Sequence, residues 1–100
     1  MSEAARAYRE ALALDEGTVD PASAGADWFN YGQFLKKRGL EPRLVAACFI
    51  KAEQLLATTS DSRVETVRDE ISRFERDQPA AIKDARANLV GALSDARLLK

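Results

Sequence analysis

The sequence predicts an all-α domain of about five antiparallel helices. Three observations carry that expectation. Ala, Leu, Glu, Arg and Lys, the strong helix formers, dominate the composition. Apolar residues recur at spacings of three and four, and the β-branched and aromatic residues are too scattered to write alternating strands. Pro21, Pro42 and Pro79 stand where periodic runs begin, and Gly17 and Gly39 where they end. One hundred residues make one domain, 1–100, and 46% hydrophobic content is ample for a packed core.

The first helix is expected over 3–15, with Ser2 as N-cap, Gly17 beyond its end, and Ala4, Tyr8, Ala11 and Leu12 on its apolar face. The second opens at Asp20-Pro21 and ends at Arg38 before Gly39, where Lys36, Lys37 and Arg38 complement the negative helix terminus. Trp28, Tyr31 and Leu35 share a stripe flanked by Phe29 and Phe34; Gly25 suggests that this helix becomes regular only around Ala26. The third begins at Pro42 and runs to about Ala57, carrying Leu44, Val45, Cys48, Phe49, Ala52, Leu55 and Leu56. The fourth opens on Ser62-Arg63-Val64-Glu65, the pattern of a capping box, and repeats Val64, Val67, Ile71 and Phe74. The fifth starts at Pro79 and carries Ile82, Ala85, Leu89, Ala92, Leu93 and Ala96. At Pro79 the pattern allows either two helices or one bent rod. The links are short, so successive helices are antiparallel neighbours.

Self-comparison adds a repeat. The step Ala4, Tyr8, Ala11 returns as Val45, Phe49, Ala52 and as Ala85, Leu89, Ala92. Ahead of the second copy stands Trp28-x-x-Tyr31-Gly32-x-x-Leu35. This stretch, residues 26–56, resembles the tetratricopeptide repeat (TPR), whose first helix reads Trp-x-x-Leu-Gly-x-x-Tyr and whose second reads Ala-x-x-x-Phe-x-x-Ala. Tyr31 and Leu35 reverse the usual order of aliphatic and aromatic residue, and Val64 stands where a third copy would have Trp. The resemblance implies a TPR-like α-α superhelix, with 3–15 as half a repeat, 21–57 as the best-matching repeat and 62–98 as a degenerate pair. Trp28, Tyr31, Gly32, Leu35, Phe49 and Ala52 are its structural positions, and Gly32 lets the paired helix approach closely. An array that opens on a second helix implies either the C-terminal piece of a longer array or self-association into a homo-oligomer through 3–15.

Composition narrows the chemistry. Fifteen basic and sixteen acidic residues nearly cancel, which argues against a nucleic-acid or anionic-membrane partner. The sequence holds no His, the usual general base and commonest metal ligand, and no phosphate-cradling glycine loop. Cys48, the single cysteine, lies among Val45, Phe49 and Ala52 and reads as a small buried hydrophobe. Asp15-Glu16 and Asp69-Glu70 are sequence neighbours that do not face each other on a helix, so they read as solvated surface. The expectation is a non-enzyme with no catalytic residues, no metal and no cofactor. A reducing, cytoplasmic setting fits the lone cysteine and the lack of a signal peptide or membrane span.

The expected partner is a protein or peptide. In the resemblance, Phe29, Asn30, Gln33, Lys36 and Lys37 project towards the concave groove that the family uses for ligands. Phe29 and Gln33 do not supply the Lys and Asn of a carboxylate clamp, so the implied groove is apolar and centred on Phe29. Two plainer readings stand beside it. Phe29 packs against a neighbouring helix, and Lys36-Lys37-Arg38 serves only the helix terminus. An oligomerisation bundle, whose apolar faces meet a second copy, is the alternative function.

Overall fold

The computed structural model describes residues 21–97, and every element among them is helical: α1 (Pro21–Lys37), α2 (Pro42–Thr58), α3 (Arg63–Asp77), α4 (Pro79–Ala87) and α5 (Leu89–Arg97). The helix expected over 3–15, its half-repeat role and its proposed self-association lie outside the described residues.

The organising element is α2, against which each of the other four helices packs. Leu44, Val45, Ala46, Ala47, Cys48, Phe49 and Ile50 form an unbroken buried run in α2, followed by buried Ala52 and Leu56. A helix apolar on every side must be enclosed, whereas its neighbours need only one apolar stripe each. On α3 that stripe is Val64, Val67, Ile71 and Phe74, as the periodicity predicts, and each such buried side chain contributes about 1.5–3 kcal/mol. Trp28, Tyr31 and Leu35 are the buried stripe of α1, and Ile82, Ala85, Ala92, Leu93 and Ala96 those of α4 and α5.

The start of α1 corrects an expectation. The helix is regular from Pro21, and Gly25 lies buried inside it, where a Cβ would come 2.8 Å from Leu56 Cγ. The glycine permits close approach rather than marking a frayed turn.

Two hairpin turns are built alike. After α1, Leu40 N–H donates to Leu35 O and Gly39 N–H to Lys36 O, with Gly39 at φ +67°. After α2, Asp61 N–H donates to Leu56 O and Ser60 N–H to Ala57 O, with Ser60 at φ +55°. Both are Schellman closures, which satisfy the last carbonyls of a helix through a left-handed residue. The second places a serine where glycine costs less.

The capping box expected at Ser62 and Glu65 does not form. Ser62 already has helical dihedrals (φ −62°, ψ −22°) and makes no side-chain cap bond. Asp61 takes the role: its Oδ1 accepts the Arg63 N–H at 2.9 Å, and the Arg63 guanidinium grips both carboxylate oxygens at 3.0 and 2.7 Å. Glu65 turns instead to Arg68, at 3.1 Å. The Arg63 side chain, then its backbone N–H, hold the Asp61 carboxyl down at about 2.

α3 and α4 are separate helices, divided at extended Gln78 (φ −137°, ψ 62°) before Pro79. The run expected to continue from Pro79 breaks again at Asn88 (φ −144°, ψ 67°), whose Oδ1 caps α5 by accepting the Gly91 N–H at 3.2 Å. That break folds α5 back onto α2. Two polar ties then fix it: Tyr31 Oη donates to Ala96 O at 2.6 Å, and Arg43 Nη2 meets Asp95 Oδ2 at 2.6 Å while Nε meets Glu41 at 3.1 Å.

Ser60→Gly should raise unfolding free energy by about 0.5–1 kcal/mol, the relief of left-handed strain offset in part by unfolded-state entropy, read from urea denaturation. For Asp61 the folded pKa lies below the ordinary 3.8, so its contribution is full above that value and is lost as pH falls through about 2. Thermal melts of Asp61→Asn should show a shallower loss of Tm than the parent chain over that window.

Candidate functional site

α1 and α3 both run antiparallel to α2 and therefore parallel to each other. Their backbones stand apart, with α2 packed against both. The result is a groove with α1 and α3 as walls and α2 as floor.

Two hollows lie along this groove. One, of about 240 Å³, is lined from α1 by Ala26, Phe29 and Asn30, from the start of α3 by Thr66 and Val67, and from the floor by Leu56. The other, of about 310 Å³, lies at the opposite end among Lys36, Leu40, Val45, Phe74, Asp77 and Gln78. Apolar surfaces with a few polar groups at the rim are the usual make-up of a binding cleft.

An aromatic relay joins the walls through the floor. The Phe49 ring packs tilted against Phe29 (centroids 5.5 Å) and edge-on against Phe74 (5.9 Å, 89°). It has room because the facing position on α1 is glycine: a Cβ on Gly32 would lie 2.8 Å from Phe49 Cε1 and 3.0 Å from Cys48 Cβ. Such offset and edge-on pairs are the favoured geometries of aromatic contact.

Above the floor an ion pair crosses the groove. Lys36 Nζ meets Glu70 Oε1 at 2.8 Å, and Arg73 Nη1 approaches Glu70 Oε2 at 3.6 Å. The Glu70 side chain is 12% exposed and that of Lys36 46%, so the carboxylate is largely withdrawn from water while its main partner is not.

The residues expected to face a ligand divide. Phe29 and Asn30 line one hollow and Lys36 the other. Gln33 is half-buried and Lys37 exposed, and neither lines a hollow. Phe29 serves both readings at once, since it packs on Phe49 and walls the hollow. Trp28, Tyr31, Gly32, Leu35, Phe49 and Ala52 are all buried, with the Trp28 and Tyr31 rings 6.5 Å apart. Lys36 is more than an end-of-helix charge, because it reaches across to α3.

The whole α3 wall escapes the sequence reading. Asp69 is exposed as expected, but Glu70 turns into the groove. The signal is weak yet present: Glu70 stands three residues after Val67 and four before Phe74, on the border of the apolar stripe. Cys48 is buried, and among the described residues no group of three Cys, Asp or Glu side chains is arranged to hold a metal ion. No described helix is long and apolar enough to cross a membrane. Compared with family models, curated proteins and solved structures, the chain matches none of them.

Gly32→Ala should destabilise the fold by about 1–2 kcal/mol, overpacking against Phe49 outweighing the gain of ~1 kcal/mol in helix propensity. Pairing it with Phe49→Leu should restore part of the loss, measured by chemical denaturation as a double-mutant cycle.

Proposed function

We propose that this chain is a non-catalytic, TPR-like scaffold that holds a partner protein or peptide in the groove between α1 and α3. The observation that carries the reading is the pair of apolar hollows on one face, roofed by no described helix and built over the Phe29–Phe49–Phe74 relay. An antiparallel helix pair with glycine seated against an aromatic residue supports the TPR likeness, and so does α2 packing on both helices that follow it. The return of α5 onto α2 is a departure from an open array.

The function follows from shape and polarity. Asn30 and Thr66 stand exposed on opposite walls of the first hollow, with an amide and a hydroxyl for a peptide backbone, above Phe29, Leu56 and Val67 for an apolar side chain. The reading includes a reducing, cytoplasmic setting, supported by a single cysteine that is buried.

Affinity capture from the native source tests it. Asn30→Arg and Thr66→Arg put bulk into the hollow at exposed helix positions, where stability should change by no more than about 0.5 kcal/mol. Partner recovery should fall at least tenfold, about 1.4 kcal/mol of binding, in both variants. Equal recovery by parent and variants would overturn the groove assignment.

A further inference from the structure

The two hollows belong to one groove that an internal tie divides. Along α3, Val67 faces one hollow and Phe74 the other, seven residues or about 10 Å apart on a helix. Glu70 stands between them, and its bond to Lys36 spans the gap from α3 to α1. Elsewhere these two helices scarcely approach each other.

The two ends of the tie are unequal. Glu70 is nearly withdrawn from water and holds a second cation, Arg73, one helical turn further along. If Lys36 left, the carboxylate would keep a partner. Lys36 sits in the last turn of α1 on a long, half-exposed side chain, so it can swing outward at little cost. With its Lys36 end open to solvent, the pair is screened by salt and contributes little, which makes it breakable rather than structural.

We infer that Lys36–Glu70 is an autoinhibitory strap: in the free chain it splits the groove, and a ligand long enough to fill both hollows displaces Lys36. The freed ammonium then meets a carboxylate on the ligand, between two apolar side chains spaced to reach the hollows. The inference rests on the groove reading above and adds a control to it. A pair open to solvent at its Lys36 end biases the closed state about two- to fivefold, so removing it strengthens groove binding by that factor.

The probe is the uncharged dye Nile red, which makes no ion pair with Lys36, titrated against the full chain and followed by fluorescence. Lys36→Gln and Glu70→Gln both remove the strap but change the local charge in opposite directions. Both should tighten dye binding about two- to fivefold, and the charge-swapped double variant Lys36→Glu/Glu70→Lys should return it to the parent value. Opposite shifts in the two single variants would mean that local charge rather than the tie governs the groove and would overturn the strap, as would no shift in either. Circular dichroism melts identify a variant whose dye response comes from unfolding; for such a position Lys36→Met, which keeps the apolar stem, or Glu70→Ser replaces it, and the same two outcomes decide. No partner is used, so a failed strap leaves the capture result standing, and a failed capture leaves the dye result standing.

Discussion

The contact of Phe49 with Gly32 is the constraint on which the remaining structure turns. A large ring in the middle of α2 has to go somewhere, and the absence of a side chain on the facing turn of α1 lets it lie against that backbone. The helices approach closely there and again at Gly25, where Leu56 fills the space. With its ring placed, Phe49 packs tilted against Phe29 and meets Phe74 edge-on. Core and groove are therefore the same object seen from two sides. In the proposed function, stability and recognition would share the aromatic relay, because the floor of the groove is part of the packed core.

Local patterning made most of the fold legible. The Val64–Phe74 stripe, the prolines that open α1, α2 and α4, and the glycine after α1 each act within a few residues, and sequence carries such signals directly. The misreadings arise where two local rules compete. Ser62-x-x-Glu65 satisfies a capping pattern, but Asp61 one residue earlier is a stronger acceptor with Arg63 beside it, and it wins. Gly25 looks like a helix breaker until the partner across the interface is known. Asn88 is a sound N-cap, yet the continuous apolar spacing of Leu89, Ala92 and Leu93 hides the break behind it.

The groove was legible on one wall only. Phe29, Asn30 and Lys36 follow from a repeat-like motif on α1, whereas the α3 wall carries no motif and becomes a wall only through packing on α2. Glu70 illustrates the limit. In sequence it belongs to a run of charges, and only its place on the border of the apolar stripe separates it from Asp69 or Glu75. Its burial depends on which face of α3 lies opposite Lys36, a relation across thirty-four positions of chain.

The hydrogen bond from Tyr31 to Ala96 spans sixty-five positions, and it bears on the order of assembly. Its donor belongs to the α1–α2 hairpin, which local contacts alone could form quickly, and is fully buried in the complete bundle. The bond to the Ala96 carbonyl is gained only when α5 arrives, and a hydrogen bond of this kind contributes about 0.5–1.5 kcal/mol. Closing the loop to the last helix therefore ties the two ends of the described bundle to each other.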